Sequence, residues 1–157
     1  MTLPMPVTSA DPRSHPLIAR LVAREGFVEI GAANFDEVSA RSGHVLLVFT
    51  EDPIRYKETL DLAVIVPEIA RAFPGAFAVG VLLPDAARKF AVRYGFRRWP
   101  ALVLLRDGRY VGAVDGLRDW GEYITEVARL LEAPVARAPS IGIAVTVPGG
   151  SAAGCAG

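Results

Sequence analysis

The sequence predicts an α/β domain with a mixed central sheet and helices on both faces, on the strength of three observations. Two continuous apolar runs, at 45–49 and 77–83, are typical of strands that are buried on both faces of a sheet. Residues 59–73 between them place apolar side chains at helical spacing, which predicts a parallel crossover. Asp107 and Gly108 separate two further apolar runs, and Asp-Gly in this context is the strongest short signal for an antiparallel hairpin.

The other elements follow from local signals at their ends. Asn34 with Glu37 three residues later predicts a capping box for a short helix that ends at Ser39. Asp119 is expected to cap the last helix, and Pro67 is expected to kink its helix or to start a new segment. Helices are predicted at 16–25, 34–39, 59–73, 84–94 and from 119 onward, and strands at 27–30, 45–49, 77–83, 101–106 and 110–115.

The chain divides into one domain and two ends. A length of 157 residues favours a single domain, which we place at 16–133. Residues 1–15 contain three prolines and no periodicity, so we expect a flexible arm. Residues 134–157 are rich in Ala, Gly, Pro and Ser, which predicts a disordered tail, with a transient edge strand at 141–147 as the competing interpretation.

Composition argues against several classes of function. Seventeen basic and seventeen acidic residues cancel, whereas a nucleic-acid binder usually has a basic surface. The single cysteine, Cys155, excludes an intramolecular disulfide and a cysteine-based zinc site, and a total of two histidines argues against a histidine-rich metal site. The N-terminus lacks the pattern of a signal peptide, and no apolar run is long enough to span a membrane. We therefore expect a soluble cytoplasmic protein without metal or cofactor.

A Trp99-Pro100 step precedes the hairpin, in a stretch that resembles the second half of a thioredoxin-type domain. In that family the proline is cis, and the residue before it offers its backbone to an extended peptide. The resemblance therefore implies a cis bond. General frequencies favour instead a trans proline that opens the hairpin, because only about 5–6% of X-Pro bonds in folded proteins are cis.

The thioredoxin active-site loop corresponds to the segment that starts at Glu51. The resemblance places the two cysteine positions near Ile54 and Lys57, and the buried proton-carrying carboxylate at Val48. None of these side chains can form a thiolate or a mixed disulfide. We therefore predict a thioredoxin-like fold that lacks the CxxC active site and has no catalytic residue at this loop.

A wider set of residues resembles the HyaE/HoxO/HupG family of thioredoxin-like [NiFe]-hydrogenase accessory proteins over residues 17–132. The matching positions are Asp52, Pro53, Arg55, Glu58, Asp61, Glu68, Phe73, Pro74, Gly95, Arg98, Pro100, Ala101, Gly108, Tyr110, Gly112, Gly116 and Trp120. The resemblance implies a chaperone that binds the hydrogenase small-subunit precursor, which carries a twin-arginine export signal. A further hydrogenase accessory protein is a second expected partner.

A twin-arginine signal is basic and then apolar, so its receptor needs carboxylates and an adjacent apolar strip. Acidic residues surround the expected loop and helix start, and aromatic and aliphatic residues lie on either side of it. The candidate partner-binding residues are Glu51, Asp52, Ile54, Glu58, Asp61, Phe96, Arg98, Trp99 and Pro100. The alternative is that these acids only favour a helix N-terminus as solvated charges, or are neutralised by Arg55, Lys57, Arg97 and Arg98.

Two other functions compete with the chaperone hypothesis. One is a single-thiol oxidoreductase that uses Cys155, or a glutathione-dependent enzyme on the same fold; the other is a scaffold subunit that binds accessory proteins and no signal. Among the remaining conspicuous residues, we expect Trp120 in the core, His44 in a structural role and His15 exposed in the arm.

Overall fold

The computed structural model describes residues 11–140, and the predicted order of elements is confirmed. A 3-10 turn at Pro12–Ser14 precedes the first helix. The helices are α1 (Pro16–Ala23), α2 (Phe35–Ser39), α3 (Glu58–Ala72), α4 (Pro84–Ala91) and α5 (Trp120–Glu132). The strands are β1 (Val28–Ile30), β2 (His44–Phe49), β3 (Ala78–Leu82), β4 (Ala101–Arg106) and β5 (Arg109–Asp115).

The five strands form one mixed sheet in the order β1-β3-β2-β4-β5. β3 pairs in parallel with β1 and with β2, whereas β4 runs antiparallel to both β2 and β5. Phe49 faces Ala101, and Ala101 faces Asp115 on the next strand. The last residues of β2 and β5 therefore flank the first residue of β4 at one end of the sheet.

Helices cover both faces of this sheet, as predicted. On one face the buried residues of α1, α3 and α5 pack against strand residues such as Leu46, Val48 and Leu104. On the other face α2 and α4 contribute Phe35 and Phe90, whose rings stack at 3.8 Å. Alternate residues of β2 face opposite cores, which explains why the strand is apolar from Val45 to Phe49.

The hairpin between β4 and β5 turns at Asp107 and Gly108, as predicted. Their φ angles are 51° and 79°, the left-handed region that a two-residue hairpin turn requires at both positions. Asp107 also accepts a hydrogen bond from the Gly43 amide on Oδ1 at 2.7 Å, and its own amide donates to the Gly43 carbonyl at 2.9 Å. The hairpin tip is thus fastened to the turn that leads into β2.

Two local predictions were wrong, and one of the two alternatives for Pro67 is excluded. Pro67 lies inside one continuous helix, α3, and starts no new segment, while a kink at this residue stays a prediction. Asn34 occupies the cap position of α2, but its side chain bonds to Gly31 and Glu29 and caps nothing. His15 is half-buried and caps α1, because its Nδ1 accepts a hydrogen bond from the Leu17 amide at 3.2 Å.

The described parts of both chain ends contact the domain. Arg13 bonds to Glu29 of β1 from the 3-10 turn. At the other end, the Ala136 amide donates to the Tyr110 carbonyl at 2.8 Å, and Val135 packs against the core. Residues 1–10 and 141–157, which include the predicted strand at 141–147 and Cys155, lie outside the described residues.

The helices of the described region are all too short or too polar to cross a membrane.

Tyr123 fastens α5 to the segment that follows β5. It is fully buried, its hydroxyl donates to the Gly116 carbonyl at 3.2 Å, and it accepts from the Arg118 amide at 3.2 Å. Burial raises the pKa of Tyr123, so the hydroxyl keeps its proton at neutral pH.

Replacing Tyr123 by Phe leaves two polar backbone groups without this partner, so we expect the free energy of unfolding to fall by about 1–2 kcal/mol. Urea unfolding measures the change. Tyr56→Phe, at a half-exposed ring, is the control and should change stability by less than about 0.5 kcal/mol. Equal unfolding midpoints for Tyr123→Phe and the wild type would contradict this role.

Candidate functional site

Three loops meet at the end of the sheet where β2 and β5 finish and β4 begins. They are residues 50–57 after β2, residues 95–100 before β4, and residues 116–119 after β5. Because Phe49, Ala101 and Asp115 are neighbours across the strands, the three loops leave the sheet side by side. We call the surface that they form the loop face.

Trp99 is the central side chain of the loop face. The bond from Trp99 to Pro100 is cis, as the sequence resemblance implied. The indole packs edge-on against Phe96 at 4.9 Å and against Phe49 at 6.4 Å, and these two rings contact each other at 5.0 Å. Aromatic pairs favour this edge-to-face arrangement, so the buried rings hold the half-exposed indole in place.

The Asp115 carboxylate joins the second loop to the third. Its Oδ2 accepts hydrogen bonds from the amides of Arg97 at 2.9 Å and Arg98 at 3.2 Å. Arg118 donates from Nε to the Asp115 carbonyl at 2.9 Å and forms an ion pair with Oδ1 at 3.4 Å. Asp115 thus holds the residues before Trp99 against the corner between β5 and α5.

Gly116 brings the same two loops close together. Its amide donates to the Pro100 carbonyl at 2.8 Å, and its φ of 72° is a conformation that favours glycine. A Cβ at this position would lie 3.2 Å from Cδ of Arg98, whose aliphatic stem crosses the glycine. Local sequence patterns do not reveal the role of Asp115 or the close approach at Gly116, because both depend on contacts with the loop before β4.

The first loop is held by a buried polar network. The Glu51 amide donates to the Thr59 hydroxyl at 3.1 Å, and the Glu51 carboxylate accepts from the Asp52 amide at 2.8 Å. Arg88 of α4 donates two hydrogen bonds to that carboxylate, one from Nε at 3.1 Å and one from Nη2. The hydrogen bond to Glu51 raises the pKa of Arg88 above its ordinary value. Glu51 therefore anchors the loop from within.

Large apolar side chains on the first loop, on the third loop and at the start of α5 are exposed to solvent. Ile54 is 61% exposed and Tyr56 40%, and on the other side of Trp99 the side chains of Leu117 and Trp120 are 40% and 47% exposed. The prediction that Trp120 lies in the core was wrong: it is the first residue of α5, where only Tyr123, Val127 and Leu130 are buried. Clustered exposed apolar residues of this kind mark interaction sites.

The acidic candidates divide into two groups. Glu58 and Asp61 lie exposed in the first turn of α3, which starts directly after the first loop. Asp52 is half-buried, and its Oδ1 accepts from the Ile54 amide at 3.0 Å. Glu51 is buried and paired with Arg88, so its carboxylate does not face a partner, contrary to the predicted role.

The aromatic and proline candidates divide in the same way. Phe96 is buried beneath Trp99 and supports it, so it does not form part of the exposed strip that was predicted. Pro100 is buried and contributes its carbonyl to Gly116. Arg98, Trp99 and Ile54 are accessible. Tyr56, Leu117 and Trp120 were missed because sequence patterns do not show which apolar residues stay outside the core.

The positions that carry disulfide chemistry in thioredoxins hold other side chains here. Ile54 and Lys57 are exposed on the first loop, and Val48 is fully buried in the core below it. Within residues 11–140, no cluster of three or more His, Cys, Asp and Glu side chains could hold a metal ion.

A family model described as hydrogenase-1 expression protein HyaE matches residues 17–123. The chain belongs to the HyaE family. It is 41% identical over 144 residues to the hydrogenase expression/formation protein HoxO of Cupriavidus necator, covering 90% of this chain and 88% of the relative. The hydrogenase expression/formation protein HupG of Rhodobacter capsulatus is 31% identical over 122 residues, or 77% of this chain and 88% of the relative.

Family membership supports a role in hydrogenase maturation. Among solved structures, a mutant thioredoxin from Halobacterium salinarum NRC-1 matches with a TM-score of 0.56 and 26% identity. The match covers 68% of this chain and 92% of that thioredoxin. The thioredoxin-like fold of this HyaE-family chain is therefore confirmed.

Removing Arg88 leaves the buried Glu51 carboxylate without its charged partner. Because the arginine itself is half-exposed, we expect Arg88→Ala to lower the free energy of unfolding by about 1–3 kcal/mol, less than for a fully buried pair. Urea unfolding measures this loss. Adding Glu51→Gln should recover part of it, because the double variant no longer buries a charge.

Arg129→Ala is the control, since Arg129 pairs with Glu126 on the surface of α5 at 2.7 Å. It should change stability by less than about 0.5 kcal/mol. An Arg88→Ala protein as stable as the Arg129→Ala protein would show that the network does not hold the loop.

Proposed function

We propose that this protein is a non-catalytic chaperone of [NiFe]-hydrogenase maturation that binds the small-subunit precursor before export. The observation that carries the proposal is the loop face. It has the cis proline of a thioredoxin, and exposed apolar side chains lie on the neighbouring loops. The residues that carry out disulfide exchange in thioredoxins are replaced. A surface of this kind can bind an extended peptide and has no group with which to modify it.

The apolar part of the loop face suits an apolar segment of the client. Trp99 packs against the buried rings of Phe96 and Phe49. The hydrogen bond from the Gly116 amide to the Pro100 carbonyl brings the segment with Leu117 and Trp120 next to it. Tryptophan is one of the residue types that most often dominate the binding energy of interfaces. We infer that the apolar region of the twin-arginine signal lies across Trp99, Leu117 and Trp120.

The acidic part suits a basic segment. α3 and α5 both start at the end of the sheet that carries the loop face, and they pack side by side. The exposed carboxylates of Glu58 and Asp61 therefore stand in the same helical layer as Trp120. We infer that these two carboxylates attract the basic region of the signal, with Asp52 at the edge of the same loop.

The proposed chaperone acts without catalysis and in the cytoplasm. The protein acts without catalysis, because an isoleucine, a lysine and a valine stand where thioredoxins need two thiols and a carboxylate. It meets the precursor in the cytoplasm, where the export signal is still attached. Cys155, on which the competing oxidoreductase hypothesis depends, lies outside the described residues.

Charge reversal tests the acidic part. We expect Glu58→Lys with Asp61→Lys to abolish capture of the small-subunit precursor in a pull-down, because the exposed carboxylates become repulsive to a basic segment. Circular dichroism should show an unchanged fold, since both side chains are exposed. The control, Glu37→Lys with Glu132→Lys, makes the same change of net charge at two exposed sites away from the loop face. If capture survives the first pair, the basic segment binds elsewhere.

Polar substitution tests the apolar part. We expect Leu117→Ser with Trp120→Ser to weaken precursor binding by at least about tenfold, because two exposed anchors are removed. Titration of the labelled precursor measures the affinity. Val22→Ser with Val92→Ser removes two other exposed apolar side chains and should leave the affinity unchanged. Equal affinities for the two double variants would exclude the third loop from the binding surface.

A further inference from the structure

A cleft of about 700 Å³ opens beside the loop face, at the ends of β1 and β3. One wall is the 3-10 turn with Arg13, and the opposite wall is the start of α4 with Arg88. Asp52 lines the cleft and also belongs to the first loop of the loop face. The two surfaces are therefore continuous at this residue.

Each wall of the cleft presents a guanidinium group that is bound by a glutamate in a two-pronged contact. Arg13 donates to Glu29 from Nε and from Nη2, both at 3.0 Å, and Arg88 holds Glu51 in the same way. This fork-to-fork geometry is the one by which proteins recognise arginine, and lysine cannot reproduce it. The cleft is thus already built to bind guanidinium groups.

The two arginines differ in how firmly they are held. Arg88 lies on a helix of the domain, and its partner Glu51 is only 9% exposed. Arg13 comes from a three-residue turn, its side chain is 60% exposed, and its partners Glu29 and Asp11 are 35% and 58% exposed. Exposed ion pairs of the second kind are weak, so another guanidinium group can displace Arg13 from Glu29.

We propose that Glu29 is a guanidinium-binding residue for the basic segment of the client, and that Arg13 occupies its place as an intramolecular competitor. The inference rests on the proposed function, since it needs a client with an arginine-bearing segment. A client whose apolar part lies on the loop face, and whose basic segment is attracted by Glu58 and Asp61, enters the cleft past Asp52. Its arginine then replaces Arg13 on Glu29, while Arg88 stays on Glu51.

The test uses the full-length protein and a synthetic peptide with two consecutive arginines followed by an apolar stretch. Removing the competitor with Arg13→Ala should tighten binding about two- to fivefold, as expected for loss of an exposed ion pair. Glu29→Gln, which keeps the shape but removes the charge, should weaken binding about tenfold. A peptide with two lysines should gain less affinity from Arg13→Ala than the arginine peptide does, because lysine pairs with Glu29 only as a point charge and cannot form the fork.

The pair Arg129 and Glu126 on α5 provides matched controls. Its side chains are 60% and 37% exposed, almost the same as those of Arg13 and Glu29. Arg129→Ala and Glu126→Gln should leave peptide binding unchanged. Melting curves confirm that all four variants are folded.

Unchanged or weaker binding by Arg13→Ala, or unchanged binding by Glu29→Gln, overturns the proposal, as does a failure of both wild type and Arg13→Ala to bind the peptide. In any of these cases, capture of the intact precursor by the wild type would leave the proposed function standing. If the wild type fails to capture the precursor, the proposed function itself fails.

Discussion

The arrangement of the loop face depends on one carboxylate, that of Asp115. It lies at the last position of β5, where it accepts hydrogen bonds from the amides of Arg97 and Arg98 and forms an ion pair with Arg118. These contacts hold the loop that carries Trp99 to the corner that carries Leu117 and Trp120. Tyr123 supports the same corner from below through Gly116 and Arg118. These contacts hold the half-exposed Trp99 in one position. A side chain that is already held in place loses little conformational entropy when a partner binds to it.

The first loop reaches a fixed shape by a different route. The loop has no reactive pair of thiols. Its buried Glu51 carboxylate accepts hydrogen bonds from Arg88, and the Thr59 hydroxyl accepts a hydrogen bond from the Glu51 amide. The buried charge is compensated within the protein, so it anchors the loop and is unavailable to a partner. The acids that remain accessible, Glu58 and Asp61, lie one step further along the chain. Glu51 therefore anchors the loop, and we infer that the nearby carboxylates of Glu58 and Asp61 bind the partner.

The sequence predicted the fold well because its signals are local. Apolar runs, helical spacing, the Asp107-Gly108 turn and the Asp119 cap each depend on a few adjacent residues, and the structure confirms them. The candidate site was predicted only in outline. Glu51 and Phe96 are buried and Trp120 is exposed, and these outcomes depend on Arg88, Trp99 and the start of α5, which are distant in sequence or set by packing. Asp115 could not be found from local patterns, since the Arg97 and Arg98 amides that donate to its carboxylate lie in the loop before β4, distant in sequence.

The most direct measurement of the central claim is hydrogen–deuterium exchange of the protein with and without the bound small-subunit precursor. Exchange reports where backbone amides become protected on binding. We predict protection concentrated in residues 50–57, 95–100 and 116–119, together with the first turn of α3. Protection confined to α2 and α4, with these loops unchanged, would contradict it.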